Sequence, residues 1–128
     1  MSINLTKSNY QIEIVESKLP IIIKASANWC GPCRQLDPVF HEIESEYQDK
    51  IKFVELNIER ARDLAIKFGI RNIPALIFIK DGMVLGKKLG AVNKNTFLVF
   101  IDQFFSIKKD SFSEARPSSD FEMTDLEL

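Results

Sequence analysis

The chain has 128 residues, of which 45% are hydrophobic, and this fits one globular domain that needs no metal or structural disulfide for stability. Its 17 basic and 18 acidic residues give a net charge of −1, which offers no electrostatic reason to expect nucleic acid or an anionic membrane as the main partner. The first residues lack a secretory signal and no apolar run approaches the length of a membrane span, so we expect a cytoplasmic protein.

The N-terminal part is predicted to form a strand, a helix and a second strand. A short strand is expected over residues 3–6, and Ser8-Asn9-Tyr10-Gln11 has the pattern of a capping box, which predicts a helix ending near Lys18. The apolar run Ile21-Ile22-Ile23-Lys24-Ala25 is typical of a strand that is buried on both faces. Lys24 is the only charged residue in this run.

Both cysteines of the chain lie in the segment Trp29-Cys30-Gly31-Pro32-Cys33. Their spacing allows a small disulfide if Cys33 lies in the first turn of a helix, and Cys30 then lies at the helix start. The free backbone N–H groups and the helix dipole stabilise a thiolate there, and a thiolate is the reactive form of cysteine. Gly31 permits the tight approach to the helix, and Pro32 fits a first-turn position. The pattern predicts an exposed, nucleophilic Cys30 and a shielded Cys33.

Two other interpretations of the cysteine pair are inert buried cysteines and half of a zinc site. A structural zinc site usually needs four ligands, whereas the chain has these two cysteines and one histidine, His41. We therefore expect no metal. A C-x-x-C pair near a β-α-β pattern is typical of a redox site instead. His41 is expected to be solvated and several helical turns away from the cysteines.

A long helix, a strand and a shorter helix are predicted after the cysteines. The long helix contains Pro38, which should kink it. Its apolar residues recur at helical spacing: Leu36, Val39, Phe40, Ile43 and Tyr47. Residues 51–58 are predicted as a central strand, and the next helix should end at Gly69. Its apolar stripe comprises Ala61, Leu64, Ala65 and Phe68.

The last third of the folded part is predicted to be a β-hairpin and a helix. Residues 75–80 and 83–89 flank Asp81-Gly82, a strong hairpin signal, so these strands should be antiparallel. Asn93 can cap the final helix. The apolar stripe of this helix is predicted to be Phe97, Phe100, Ile101 and Phe104, and Leu98, Val99 and Phe105 lie outside it. We expect one broad buried face, the alternative being an exposed patch that binds a partner or the chain's own tail.

The composition changes at about residue 108. Residues 108–128 are rich in serine and contain six acidic residues with few apolar ones. We predict a folded domain over residues 1–107 and a disordered acidic tail over 108–128. The scattered apolar residues of the tail allow the alternative of a short partner-binding motif.

These motifs together resemble the thioredoxin family, over about residues 21–105. Besides the cysteine segment, the resemblance rests on Pro38, Gly69-Ile70-Arg71-Asn72-Ile73-Pro74, Asp81-Gly82 and Gly90-Ala91. It implies an α/β thioredoxin fold, in which a central mixed sheet of about five strands is flanked on both faces by about four helices.

The resemblance also implies a protein-disulfide reductase. Cys30 would attack a substrate disulfide, and Cys33 would release the reduced product and leave a Cys30–Cys33 disulfide. The bond before Pro74 would be cis, and the backbone of Ile73 would hydrogen-bond to an extended substrate. The implied substrate groove comprises Trp29, Gly31, Pro32, Ile73, Pro74 and Gly90. The Gly-Pro pair between the cysteines resembles that of the reducing members of the family.

The implied partners are protein disulfides and a recycling enzyme that resembles thioredoxin reductase. The redox-active cysteine pair would work without a bound cofactor. Its electrons would come from the separate recycling enzyme, because the chain has no dinucleotide-binding glycine motif of its own. A monomer is expected. Two alternatives stay open: a binding module on the same fold whose redox activity is secondary, and a thiol oxidant or isomerase.

Four residues depart from the family pattern. Ser26 stands where an aromatic residue is usual, and Ala75 stands where threonine is usual. Lys24 occupies the position of the family's buried aspartate and Glu55 that of a lysine, so both charges have changed sign. That aspartate is thought to take the proton of the second cysteine. Lys24 could do so only when neutral, so Glu55 is the simpler acceptor, and a purely structural ion pair is the alternative.

Overall fold

The computed structural model describes residues 2–107, which form one mixed five-stranded sheet with helices on both faces. The strands are β1 (Ile3–Asn4), β2 (Ile21–Ser26), β3 (Lys52–Asn57), β4 (Ala75–Lys80) and β5 (Met83–Leu89). The α-helices are α1 (Gly31–Tyr47), α2 (Arg62–Lys67) and α3 (Lys94–Phe105). The sheet order is β1-β3-β2-β4-β5, with β1, β3 and β2 parallel and β4 and β5 antiparallel to their neighbours. The predicted α/β architecture is confirmed.

The core consists of two apolar layers because successive side chains of each strand point to opposite faces of the sheet. One layer lies between the sheet and helices α1 and α3, and it contains Ile22, Phe53 and Phe78 from the strands. The other lies under α2 and the N-terminal segment, and it contains Ile23 and Val54. Both faces of β2 are buried, as its apolar run predicted.

The predicted N-terminal helix is much shorter in the structure. Only one π-helical turn, Gln11–Val15, is present, and Ser8 and Gln11 do not form the predicted capping box. Reciprocal bonds between side chain and backbone join Thr6 and Asn9 instead: Thr6 N donates to Asn9 Oδ1 at 2.8 Å, and Asn9 N donates to Thr6 Oγ1 at 3.2 Å. The predicted capping box was therefore wrong: the reciprocal bonds form two residues earlier, around the turn before the helix, and the N-cap residue Tyr10 makes no side-chain cap bond.

The predicted turns and caps in the second half of the chain are confirmed. Asp81 and Gly82 both have positive φ, at 53° and 78°, as a tight turn between antiparallel strands requires. Gly69, at φ 67°, follows α2. The Asn93 side chain accepts a 2.8 Å hydrogen bond from Thr96 N and caps α3.

Helix α3 covers the sheet with a broad apolar face, as expected. Its buried residues are Phe97, Leu98, Ile101 and Phe105. Phe100 and Phe104, predicted to be in the stripe, are only partly buried and lie against β4 and β5 at the margin of the core. Neither α3 nor any other helix in the described part of the chain is long and apolar enough to cross a membrane. The predicted tail, residues 108–128, lies outside the described residues.

Candidate active site

Cys30 and Cys33 form a disulfide at the start of α1, with their Cα atoms 5.3 Å apart. Cys30 is the N-terminal cap of the helix, and its Sγ accepts a 3.2 Å hydrogen bond from the backbone N–H of Cys33. Pro32 lies in the first turn, where its missing N–H costs no helical hydrogen bond. The helix start therefore directs a backbone donor at one sulfur of the pair, the Sγ of Cys30.

Accessibility does not separate the two cysteines. The relative exposure is 4% for Cys30 and 2% for Cys33. The prediction that Cys30 is exposed is therefore wrong for the disulfide form. The neighbouring Trp29 is 63% exposed, and its Nε1 donates to Glu59 Oε2 at 2.9 Å. This bond fixes a large apolar surface beside the sulfurs.

The loops that the sequence assigned to the substrate groove meet at the same edge of the sheet as the cysteines. The Ile73–Pro74 bond is cis. Gly90 N donates to Pro74 O at 2.8 Å, which joins the loop before β4 to the loop after β5. Ala75 pairs with Ala25 on β2, a strand that leads directly to the cysteine loop. Gly90 has φ 87°, a conformation that favours glycine.

Lys24 is almost completely buried, with 1% relative exposure, yet it is not isolated. It lies opposite Glu55 in the β2–β3 register, and its Nζ is 3.3 Å from Glu55 Oε1. It also forms a close ion pair with Asp37 on α1. The ring of Phe40 lies 4.9 Å from Nζ. Two carboxylates and an aromatic face thus offset the desolvation of this ammonium.

Asp37 is the member of this cluster that the sequence analysis missed. It lies four residues after Cys33 on α1, and residues at this spacing are neighbours on one helix face. An open polar cavity of about 410 Å³ is lined by Cys33, Lys24, Asp37 and Glu55 together. The available signal was the i, i+4 spacing from Cys33, but only the packing of α1 on the sheet showed that the side chain meets Lys24.

His41 is nearer to this cluster than its sequence spacing suggested. It is half-exposed, as expected, but its Nε2 is 4.0 Å from Glu55 Oε2 and its Nδ1 is 3.3 Å from Glu44 Oε1. The chain therefore places an imidazole ring at the outer end of a line of charged groups that leads inward to Lys24. Among residues 2–107, no group of three or more histidine, cysteine, aspartate or glutamate side chains is arranged to hold a metal ion.

Comparison with known proteins identifies the relatives of the chain. A family model described as Thioredoxin matches residues 1–103. Thioredoxin C-2 of Corynebacterium nephridii is 38% identical over 101 residues, which cover 79% of this chain and 94% of the relative. Thioredoxins of Pseudomonas aeruginosa and Rickettsia prowazekii are 36% and 38% identical over 100 residues each, covering 78% of this chain and 93% and 95% of the relatives.

Proposed function

Because this chain belongs to the thioredoxin family and is a protein thiol-disulfide oxidoreductase, we propose that Cys30 is its nucleophile and Cys33 its resolving cysteine. The bond from the Cys33 N–H to the Sγ of Cys30 carries this assignment, since the same donor stabilises a thiolate on Cys30 in the reduced protein. Cys33 lies inside the helix and not at its N-cap, so its sulfur does not have the N-cap position that stabilises a thiolate on Cys30.

The reaction consists of two thiol-disulfide exchanges. The Cys30 thiolate attacks one sulfur of a substrate disulfide, a mixed disulfide forms, and the other substrate sulfur leaves as a thiolate. Cys33 then loses its proton and attacks Cys30 Sγ, which breaks the mixed disulfide and releases the second substrate thiolate. Two electrons pass from the cysteine pair to the substrate. The helix holds Cys33 close to Cys30, so the second step proceeds at a high effective concentration.

The proton of Cys33 needs an acceptor, and we assign Glu55 and Asp37 to this part of the reaction. Both carboxylates line the cavity that Cys33 also lines. Lys24 contacts both of them and is the positioning residue of the group. Asp37 and Glu55 thus place carboxylate oxygens in the cavity, although the position on β2 where the family has an aspartate is occupied by Lys24.

The substrate lies, in this proposal, across Trp29, Gly31, Pro32, Ile73, Pro74 and Gly90. The exposed Trp29 and the bond from Gly90 N to Pro74 O support a continuous surface beside the sulfurs. Hydrogen bonds between the backbone of Ile73 and the substrate backbone do not depend on the side chains of the substrate. This suits a reductase that accepts many disulfides. The reduced state is then restored by a separate reductase in a reducing compartment, the cytoplasm.

The decisive experiment compares single cysteine variants of the full-length chain. Wild type should reduce a protein disulfide such as that of insulin, with dithiothreitol or a thioredoxin reductase as electron donor. Cys33→Ser should accumulate a mixed disulfide through Cys30, whereas Cys30→Ser should trap nothing. Trapping through Cys33 would reverse the assignment. A chain without turnover that binds a partner equally well with both cysteines replaced by serine would instead be a binding module.

A further inference from the structure

All four arginines of residues 2–107 lie at the edge of the sheet that carries the disulfide. Arg34 follows Cys33 on α1, Arg60 and Arg62 lie where β3 leads into α2, and Arg71 lies three residues before Pro74. The topology explains this placement, because the parallel strands β2 and β3 end at the edge where the antiparallel β4 begins. We call these four exposed residues the arginine rim.

The positive charges of the arginine rim are not neutralised within the described part of the chain. Arg34 Nη2 donates to the carbonyl oxygen of Asn28 at 2.7 Å, which holds the side chain beside the cysteine loop but leaves its charge uncompensated. Arg60, Arg62 and Arg71 form no ion pair with any residue of 2–107. A guanidinium stays charged at any pH that a protein tolerates.

The carboxylates around the rim are mostly engaged elsewhere. Asp37 and Glu55 share the single positive charge of the buried Lys24, so this group keeps one formal negative charge, and Asp63 lies 3.7 Å from Lys7 Nζ. Glu59 accepts a hydrogen bond from the neutral indole of Trp29. Of the carboxylates lining the cavities at this edge, Glu59 is therefore the one that no described cation contacts.

Three adjoining cavities connect the rim to the redox centre. The cavity at Cys33 is lined by Arg34 and Arg60. A second, of about 390 Å³, is lined by Arg60 and Arg62, and a third, of about 420 Å³, is lined by Arg62 and Trp29. Each cavity shares an arginine with the next, so three guanidinium groups line a series of neighbouring cavities between Cys33 and the exposed indole.

We propose that the arginine rim selects protein segments that carry aspartate or glutamate next to their disulfide. The proposal rests on the proposed reductase function and adds the substrate class to it. The Cys30 attack requires the substrate disulfide to reach the start of α1, and carboxylates beside that disulfide then lie against the rim. Such attraction raises the encounter rate and aligns the substrate, and rim arginines can form bidentate bonds with carboxylates.

The opposite edge of the sheet offers a matched control. Lys18 precedes β2, Lys50 precedes β3 and Lys80 ends β4, so all three exposed lysines lie at the far end of the strands. Replacing them by glutamine removes as much positive charge as replacing three rim arginines. It changes the net charge equally and leaves the rim intact.

The test uses three peptides of equal length, each with one internal disulfide, flanked by aspartate and glutamate, by serine, or by lysine. The second-order rate constant for reduction by the pre-reduced full-length chain is divided by the rate constant with dithiothreitol, which corrects for peptide reactivity. We expect the acidic peptide to exceed the basic one by roughly tenfold at low salt. The preference should approach one near 1 M salt, where the Debye length is about 3 Å.

The variant Arg60→Gln/Arg62→Gln/Arg71→Gln should lose most of this preference, and Lys18→Gln/Lys50→Gln/Lys80→Gln should keep it. Because the preference compares two peptides on one variant, a general loss of activity cancels. Equal rates for the three peptides in wild type, or a preference that survives the arginine substitutions, would overturn the proposal. Failure to reduce any of the peptides would instead count against the reductase function itself.

Discussion

At the scale of single residues, Lys24 has the environment that differs most from what its sequence neighbours suggest. It lies in an otherwise apolar strand and is buried, yet it contacts carboxylates from two elements, Glu55 on β3 and Asp37 on α1. Removing one partner from a buried charge group is costly because the remaining charge keeps its desolvation penalty. Lys24 therefore ties the strand to the helix that carries the cysteines.

Lys24→Asp should destabilise the protein by several kcal/mol, because it places a third carboxylate beside Asp37 and Glu55. Adding Glu55→Lys should restore part of the loss. The coupling in this double-mutant cycle, measured by urea unfolding, should exceed the roughly 0.3–0.5 kcal/mol within which independent sites add. Additive effects would mean that the two side chains do not interact.

Asp37→Asn, with both cysteines present, should slow the step in which Cys33 attacks the mixed disulfide and change the pH profile of that step, since the amide cannot accept the Cys33 proton. Glu55→Gln should act in the same direction, and the larger effect identifies the principal acceptor. Stopped-flow release rates between pH 6 and 9 measure this, with Glu42→Gln on the outer part of α1 as the control. Unchanged rates and profiles in both variants would leave the cluster a structural role only.

At the scale of elements, the packing of α3 on β5 depends on a glycine. A Cβ atom on Gly86 would lie 2.4 Å from Cζ of Phe104. That ring also lies 4.9 Å from the ring of Phe78 and stacks with Phe100 at 6.1 Å, so it has little room to move. The absent side chain at Gly86 thus allows the aromatic face of α3 to approach the edge strand.

Gly86→Ala should lower the free energy of unfolding by about 1–3 kcal/mol, because the added methyl group overpacks this contact. In a Phe104→Leu background the same substitution should cost much less, since the smaller side chain leaves space for the methyl group. Thermal unfolding of the four proteins measures the difference. An equal cost in both backgrounds would show that the ring of Phe104 is not the cause.

The start of α3 is joined to α1 through Lys94. Its Nζ lies 2.7 Å from Glu42 Oε2 and 2.8 Å from Glu46 Oε2, and these two hydrogen bonds raise the pKa of the Lys94 ammonium above its usual value. A pKa that is raised in the folded state stabilises the fold below the pKa of the unfolded chain. That stabilisation is lost as the pH rises through the folded pKa.

Lys94→Gln should therefore reduce stability by less than about 1 kcal/mol at neutral pH, as is usual for partly exposed ion pairs. The difference from wild type should persist to about pH 10 and shrink at more alkaline pH. Urea unfolding of both proteins at pH 7, 9 and 11 measures this, with Lys67→Gln as the control. A difference that grows between pH 9 and 11 would contradict the assignment.

At the scale of the whole molecule, the chemistry is concentrated at one edge of the sheet. The cysteine loop, the cis Ile73–Pro74 bond and Gly90 lie at the same strand ends, as does the arginine rim. Within residues 2–107, α1 and α3 cover one apolar face of the sheet, and α2 with the N-terminal segment covers the other.

Ending the chain after Ile107 should consequently leave disulfide reduction unchanged and alter the free energy of unfolding by less than about 0.5 kcal/mol. Turnover in the insulin assay and urea unfolding of the shortened and full-length chains measure the two quantities. A larger loss of stability would show that residues beyond 107 contribute to the fold, and the proposed domain boundary would be wrong.

Apart from the N-terminal helix, the sequence by itself determined the main elements and the redox pair, because these depend on local chemistry. The period of apolar residues predicts α1 and β2, Asp81-Gly82 predicts the hairpin, and the C-x-x-C spacing predicts a disulfide at a helix start. The apolar stripe of α3 was predicted less well. Burial of Leu98 and Phe105 in place of Phe100 and Phe104 depends on the surface that the helix meets.

Only the tertiary structure decided which charged side chains act together. Asp37 and Glu55 converge on Lys24, and His41 lies beside Glu55, because α1 packs against the parallel strands β2 and β3. The number of residues between two side chains on different elements does not tell whether they meet. They meet when both elements bury their apolar faces in one core. The arginine rim has the same origin, since it is formed by segments far apart in sequence that the strand directions bring to one edge.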